Sequence, residues 1–156
     1  MAQRYETACS TLRLSLRLQS KASSGRRLSR AASPVLQALA ERLTHSGHFG
    51  SVPDQVIVNE YRPGQGISAH VDCRPCFGDV IASLSLLSSC VMRLENRKVS
   101  QKVDLVLEPE SLLVLSGEAR NVWTHAIPAR KSDIVNGQKQ PRSRRLSLTF
   151  REMRFA

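Results

Sequence analysis

Residues 56–66 read Val-Ile-Val-Asn-Glu-Tyr-Arg-Pro-Gly-Gln-Gly, an apolar run with strand character followed by a Pro-Gly turn. Further short apolar runs follow toward the carboxyl end, at residues 81–87, 91–94, 103–107, 112–115 and 146–150. No long helical pattern separates them, and the 156-residue chain has no internal repeat. Many short strands without intervening helices predict a mainly β fold, built as a barrel, a sandwich or a jelly roll.

A helix is predicted in front of these strands. Ser33 followed by Pro34 is a typical helix start, with Ser as the N-cap and Pro at the first helical position. Apolar residues then recur at helical spacing on one face: Val35, Leu36, Leu39 and Leu43. Gly47 ends the pattern. We expect one or two helices to flank the β domain, and we interpret His45 and His48 as surface residues.

The net charge of +10 is concentrated at the amino terminus. Residues 1–53 carry eight Lys and Arg against two acids, whereas residues 54–156 carry fifteen against eleven. A basic surface favours polyanions, so nucleic acid is the expected partner, with a solvated basic tail as the alternative. No run approaches the roughly 20 apolar residues of a membrane-spanning helix, so we expect no membrane association.

Residues 1–33 differ in composition from the rest of the chain. They are rich in Ser and Arg, with Glu6 as the single acid, and the leucines at positions 12, 14, 16 and 18 alternate with polar residues as in a half-exposed strand. We therefore predict a basic Ser/Arg-rich segment at residues 1–33, disordered or divergent, and one domain at residues 34–156 with its motif-bearing core at residues 54–154. An organelle transit peptide is another explanation for the acid-poor start.

Cys73-Arg74-Pro75-Cys76 has the two-residue spacing of zinc and redox pairs. A structural zinc site would normally need a second such pair, which the sequence lacks. We expect free thiols in a reducing compartment, with a functional thiol pair as the alternative.

His70-Val71-Asp72 places an imidazole and a carboxylate two residues apart. On a strand, residues i and i+2 project from the same face, so both side chains can reach one ion. His125 is the best candidate for a third ligand. Two histidines and one carboxylate on one face of an iron leave positions open for oxygen and a co-substrate. The spacing alone is weak evidence, and a satisfied His–Asp contact without a metal is the alternative.

The last strand, residues 145–151, alternates strictly between polar and apolar residues, so Arg145, Ser147, Thr149 and Arg151 share one face. Unpaired buried guanidinium groups are costly, so an inward polar face indicates a bound anion, and the planar fork of arginine matches a carboxylate in two parallel hydrogen bonds. The alternative is an edge strand whose polar face meets solvent or phosphates.

Three separate blocks follow one another in the order found in a known family. The first runs from Asn59 to Asp72, the second contains Ser-Gly-Glu-Ala-Arg at residues 116–120 and Trp-Thr-His at residues 123–125, and the third is the strand at residues 145–151. Together they resemble the AlkB family of Fe(II)- and 2-oxoglutarate-dependent dioxygenases over residues 54–154. The second block is similar to the tRNA-modifying AlkB homologues in its Gly-Glu-x-Arg and Trp-x-His segments.

The resemblance implies a double-stranded β-helix, or jelly roll, that holds Fe(II) through His70, Asp72 and His125, with O2 and 2-oxoglutarate as co-substrates. The implied 2-oxoglutarate contacts come from two strands. Asn59 and Tyr61 would hydrogen-bond the co-substrate, and Arg145 would pair with its distal carboxylate. Arg151 would lie near its metal-chelating end, and Ser147 stands where well-known members carry Asn.

The resemblance further implies oxidation of a C–H bond, foremost the oxidative demethylation of N-alkylated bases in DNA or RNA, as nucleic-acid repair or modification. Two departures affect substrate choice. Arg74 stands where the bacterial DNA-repair members carry an acid, and no aromatic-rich lid is recognisable in residues 1–33. The alternatives are a catalytically impaired nucleic-acid-binding homologue and a dioxygenase acting on a protein or small molecule. We expect a monomer in the cytoplasm, unless residues 1–33 direct it to an organelle.

Overall fold

A computed structural model of the chain describes residues 33–154, together with the backbone of a two-residue strand, Ala8–Cys9. The elements in chain order are β1 (Ala8–Cys9), α1 (Pro34–His45), β2 (Gln55–Tyr61), β3 (Ile67–His70), β4 (Phe77–Leu86), β5 (Cys90–Asn96), β6 (Gln101–Leu107), β7 (Ser111–Ser116), α2 (Gly117–Asn121), β8 (Thr124–Ile127), β9 (Ser132–Val135), β10 (Gln138–Pro141) and β11 (Arg145–Met153). The predicted mainly β fold with flanking helices is confirmed. The strand predicted at residues 12–18, the basic segment at residues 1–33 and the transit-peptide alternative fall on residues outside the described ones, and the domain boundary at residue 33 stays a prediction.

Two antiparallel sheets form a jelly roll. The larger sheet has the strand order β1-β7-β4-β11-β2, and the smaller one has the order β3-β8-β5-β6. Strands β9 and β10 form a separate hairpin. Apart from β5 and β6, neighbouring strands in both sheets are not consecutive in sequence, so the chain crosses repeatedly between the sheets, as in a double-stranded β-helix.

Two apolar clusters hold these layers together. One lies between the larger sheet and α1, and it contains Leu36 and Leu39 of the helix and Leu148 and Phe150 of β11. The other lies between the two sheets and includes Leu94, Leu115, Trp123 and Ile127. Strand β11 therefore contributes its apolar face to the helix side and turns its polar face toward the smaller sheet.

Helix α1 follows the predicted pattern closely. Pro34 occupies the first turn, Leu36, Leu39 and Ala40 are buried, and Gly47 has a φ of 77° just after the helix. Ser33 holds the predicted N-cap position, and its hydroxyl makes no capping hydrogen bond. Among the described residues, neither helix combines the length and apolar character needed to cross a bilayer.

The turn between β2 and β3 contains a glycine that the packing requires. A Cβ on Gly66 would overlap the carbonyl oxygen of Ile127 and would lie 2.9 Å from the amide nitrogen of Ala129. Ile67, the next residue, pairs with Ile127 across β3 and β8. Backbone thus packs directly on backbone at this point, and the close approach sets how β3 lies against β8.

We expect Gly66→Ala to lower the free energy of unfolding by about 1–3 kcal/mol, since the added methyl group must displace backbone atoms rather than a flexible side chain. Urea denaturation followed by circular dichroism measures this. Gly50→Ala is the matched control, because a Cβ at Gly50 would have no atom within 4 Å. Equal stability of the two variants would contradict the tight packing at Gly66.

Candidate metal centre and co-substrate pocket

His70, Asp72 and His125 come together at one end of the smaller sheet. His70 and His125 are register partners across β3 and β8, so their side chains project from the same face, and their ring centroids are 4.3 Å apart. Asp72 follows two residues after His70, and its Oδ1 lies 3.4 Å from His70 Nε2. Each residue offers one ligand atom, and these three atoms all lie within 4.8 Å of one another. Of the groups within residues 33–154, this is the one that brings at least three metal-ligating side chains together.

One detail of the prediction is wrong. Strand β3 ends at His70, so Asp72 lies in the following loop rather than on the strand. The carboxylate reaches the histidines because other side chains hold that loop in place. The predicted ligand set is brought together by the pairing of β3 with β8 and by tertiary contacts of the loop that carries Asp72.

The two imidazoles are prepared to act as metal ligands. His70 Nδ1 lies 2.7 Å from the carbonyl oxygen of Ser68. A carbonyl can only accept, so Nδ1 carries a proton, and Nε2, on the side of Asp72, is the nitrogen positioned to bind a metal. Burial, together with a smaller effect of the neighbouring His70, lowers the pKa of His125 to about 4. His125 is therefore neutral near pH 7, the form that metal binding requires.

Two arginines hold Asp72. Arg151 Nη1 donates to Asp72 Oδ2 at 3.3 Å. Arg120, on α2, is 2% exposed, and it donates to the backbone carbonyls of Asp72 and Cys73 at 3.0 and 3.3 Å. Arg120 belongs to the Gly-Glu-x-Arg segment, whose sequence pattern does not predict this positioning role.

The buried guanidinium of Arg145 marks a pocket for an anion. Arg145 is 2% exposed, and its Nη2 donates to Ser85 Oγ at 2.8 Å. Among the described residues, its Nε and Nη1 have no hydrogen-bond partner. Leaving a buried cation with two unused donors is costly unless an anion binds there. A carboxylate fits this geometry, because the guanidinium can donate to both of its oxygens.

The polar face of β11 lines this pocket. The strand lies between β4 and β2, so the edge-strand alternative is wrong and the inward face is confirmed. Tyr61 is the register partner of Arg145, and Asn59 is that of Ser147, so all four side chains share one face of the sheet. The Arg145 guanidinium lies 5.5 Å from the centre of the Tyr61 ring, and burial raises the pKa of the Tyr61 phenol. Ser147 Oγ contacts Ser83 Oγ at 2.9 Å.

Arg142 is also buried, but its pairing differs from that of Arg145. Arg142 lies beside the same pocket, and it donates twice to the buried carboxylate of Asp133, at 2.6 and 2.8 Å, and once to the carbonyl of Pro128. Burial opposes ionisation of Asp133, but hydrogen bonds from Arg142 and Arg130 outweigh it and lower the pKa of that carboxyl. The cluster of Arg130, Asp133 and Arg142 is not predicted from the sequence, because no local pattern links these three residues. Its pairing is structural, whereas Arg145 has donors left for a ligand.

The cysteine prediction is corrected. Cys73 and Cys76 form a disulfide, with their Cα atoms 5.2 Å apart, because the turn between β3 and β4 brings them together. The expectation of free thiols holds for Cys90, which is buried. His45 is exposed and His48 is half-buried, and neither belongs to the metal-ligating group, as expected.

The chain matches the family described as the 2OG-Fe(II) oxygenase superfamily over residues 2–151. It belongs to this superfamily. The site fits the metal that the family name specifies, because two imidazoles, which bind metals in their neutral form, lie beside one carboxylate. It also fits the co-substrate, because a buried arginine with unpaired donors lies in the same jelly roll.

Similar proteins place this oxygenase in the AlkB-like group. It is 43% identical over 102 residues to uncharacterized protein L905 of Acanthamoeba polyphaga mimivirus, covering 65% of this chain and 49% of that protein. It is 38% identical over 136 residues to the tRNA (carboxymethyluridine(34)-5-O)-methyltransferase ALKBH8 of Mus musculus, covering 77% and 20% respectively. The solved structure of OsALKBH1 has the same fold, with a TM-score of 0.56 and 20% identity over 77% of this chain and 65% of that one. The oxygenase thus spans about half or less of these curated relatives.

The lowered pKa of His125 predicts how the stability of the metal-free oxygenase depends on pH. In the unfolded chain this pKa is near 6.5, whereas in the folded protein it is about 4. Between these values the unfolded state binds more protons. The free energy of unfolding should therefore fall by about 2–3 kcal/mol as pH drops from about 6.5 to 4, and the contribution of His125 is fully present above pH 6.5.

Urea denaturation across this pH range measures the effect, and the difference between wild type and His125→Gln isolates it from other groups. His45→Gln is the control and should keep the full pH dependence, because His45 is exposed. The same slope in wild type and in His125→Gln would contradict the lowered pKa.

Proposed function

We propose that this chain is an Fe(II)- and 2-oxoglutarate-dependent dioxygenase in which His70, Asp72 and His125 bind the iron. The observation that carries the proposal is the pairing of that ligand set with an unsatisfied buried guanidinium, Arg145, within one jelly roll. A metal site alone would serve many functions. A metal site together with a carboxylate pocket suits a dicarboxylate co-substrate that reaches the metal.

The co-substrate contacts follow from the face shared by β2 and β11. In this proposal Arg145 binds the distal carboxylate of 2-oxoglutarate, and Tyr61 donates its hydroxyl to the same end. Asn59 and Ser147 lie between the two ends and hydrogen-bond the rest of the molecule. Arg151, which already contacts Asp72, faces the end that chelates the metal.

Bound Fe(II), with O2 and 2-oxoglutarate, supplies the oxidation of a substrate C–H bond, coupled to conversion of 2-oxoglutarate to succinate and carbon dioxide. The protein's own residues prepare the site for this reaction. Arg120 and Arg151 fix Asp72 from its backbone and side-chain sides, so that little reorganisation accompanies binding. Burial keeps His125 neutral and able to act as a ligand.

For the substrate we propose an N-alkylated base in a nucleic acid. Oxidation of the alkyl group would remove it and restore the unmodified base. Two findings support this choice. The chain carries a net charge of +10, and the name of the similar mouse protein ALKBH8 specifies a tRNA substrate. A base within a duplex would first have to leave the stack to reach the metal centre. Formaldehyde release from methylated RNA, methylated DNA and a methylated peptide, assayed side by side, tests this choice.

The activity itself is tested by succinate formation without any added substrate. We expect slow, Fe(II)-dependent succinate release by the wild type and none above background from His70→Ala, Asp72→Ala or His125→Ala, because each removes a metal ligand. His45→Ala is the control and should match the wild type. Full succinate release by the His125 variant would show that another residue is the third ligand, and none by the wild type would leave a nucleic-acid-binding homologue without turnover.

Arg145→Lys tests the carboxylate pocket. Lysine keeps the charge but loses the fork, so one of two hydrogen bonds to the distal carboxylate disappears. A charge-assisted hydrogen bond contributes about 1.5–3 kcal/mol, so the apparent constant for 2-oxoglutarate should rise about 10- to 100-fold while metal affinity changes little. Arg144→Lys is the matched control, since Arg144 is exposed and pairs with Glu60. An unchanged constant for Arg145→Lys would assign the carboxylate to another residue.

A further inference from the structure

The Cys73–Cys76 disulfide closes the loop that carries Asp72. Residues 71–76 lie outside both sheets and connect β3, in the smaller sheet, to β4, in the larger one. Cys73 directly follows Asp72, and Cys76 directly precedes Phe77, on whose ring the Arg151 guanidinium lies at 4.1 Å from the centre. The disulfide is therefore one peptide unit from the carboxylate on one side and one from the Arg151 stack on the other.

The ring is anchored to the protein at both ends. Arg120 donates to the carbonyls of Asp72 and Cys73, and the Arg154 amide donates to the carbonyl of Cys76 at 2.8 Å. Between these anchors, Arg74 and Pro75 are exposed. A change at the sulfur atoms thus acts on a short segment whose ends are fixed, and Asp72 is at one of those ends.

Reagents in solution can reach the sulfur pair. Cys73 is exposed and Cys76 is half-buried, whereas Cys90 is buried in the core between the sheets. The two-residue spacing is the one found in thiol–disulfide exchange pairs. No step of the proposed oxygenase reaction uses these cysteines.

We propose that Cys73 and Cys76 form a redox-active site that exchanges with small-molecule or protein thiols and disulfides, and that its oxidation state sets how tightly the metal binds. In the oxidation, one cysteine sulfur attacks the disulfide of the oxidant and releases one thiol. The second cysteine then attacks the mixed disulfide and releases the other. The pair loses two protons and two electrons as the Sγ–Sγ bond forms, and the oxidant gains them as two thiols.

The direction of the coupling follows from the loop. The closed ring restricts the backbone of the residue next to Asp72, so the carboxylate is held ready for the metal. Reduction opens the ring and gives the exposed Arg74-Pro75 turn more conformations, which metal binding must then restrict. Because Arg120 still holds one end, we expect reduction to weaken metal binding by about threefold to tenfold, a modest effect for a short ring.

Thermodynamic linkage gives a second expectation that does not involve catalysis. If the disulfide strengthens metal binding by a given factor, the metal must make the disulfide harder to reduce by the same factor. For a two-electron couple, threefold to tenfold corresponds to a potential about 14 to 30 mV more negative with saturating metal. The inference rests on the proposed role of Asp72 as an iron ligand, and both measurements can be made without turnover.

The experiment uses the full chain, equilibrated anaerobically with mixtures of reduced and oxidised glutathione at constant pH, with Mn(II) as a probe ion that does not itself change oxidation state. Mass spectrometry after alkylation counts the thiols at residues 73 and 76, and titration calorimetry measures Mn(II) affinity. We expect both thiols to disappear together and Mn(II) affinity to fall on reduction. The double variant Cys73→Ser/Cys76→Ser should bind Mn(II) like the reduced wild type at every glutathione ratio, and Cys9→Ser should keep the response.

Thiols that stay free at every ratio, or equal Mn(II) affinity of both forms, would overturn the proposal. Thermal unfolding of the double variant, with Cys73→Ala/Cys76→Ala as a second version, identifies any general loss of folding. A failure of the proposed metal site looks different, because Mn(II) would then bind in neither form or would bind equally to Asp72→Ala. That result would overturn the coupling between the disulfide and metal binding. The thiol count would still show whether Cys73 and Cys76 exchange with glutathione.

Discussion

The burial of guanidinium groups inside one small β domain is the constraint on which the rest of this structure depends. Each of Arg120, Arg145 and Arg151 is less than a tenth exposed. Burial lowers the pKa of Arg120 and Arg151, which means that both lose hydration that protein groups or a ligand must replace. Arg120 and Arg151 find part of that replacement at Asp72, although the Nε of each has no partner among the described residues. Arg145 keeps two nitrogens without a partner beside its bond to Ser85, and there we propose that the co-substrate binds.

This constraint explains why β11 lies at the centre of its sheet. A strand with arginines on one face and Leu148 and Phe150 on the other needs a polar pocket on one side and an apolar layer on the other. Helix α1 supplies the apolar layer, and the space between the sheets supplies the pocket. With β2 and β4 as neighbours, the inward face of β11 also gains Asn59, Tyr61 and the serines of β4 as polar partners. The proposed iron ligands then lie at one end of the same interior, where Arg151 contacts Asp72.

Much of this arrangement could be predicted from sequence, and the failures have physical causes. The long apolar runs of β4 and β5 are visible because buried strands have little choice of residue. Strand β10, by contrast, is exposed along its whole length, so no pattern of burial marks it. Asp72 lies beyond the end of β3, where the period of the strand no longer applies. The contact of Arg120 with the Asp72 backbone joins residues that are distant in sequence, and no local pattern links Arg142 with Asp133. The spacing of Cys73 and Cys76 is compatible with two free thiols and with a disulfide. The turn between β3 and β4 brings the two sulfur atoms together and so determines that they form a disulfide.

The β9–β10 hairpin adds a different kind of property. Its base is fixed, because Asp133 is buried and paired with Arg142, while its tip is a tight turn in which Asn136 and Gly137 both have positive φ angles. Every residue from Asn136 to Pro141 is exposed. The tip can therefore lengthen, shorten or change its charge while the buried base, and the pocket beside it, keep their shape. Insertions or substitutions at the hairpin tip, whether they arise in evolution or by engineering of a tag or probe, can therefore change the surface that large partners meet. The side chains of the buried site stay unchanged.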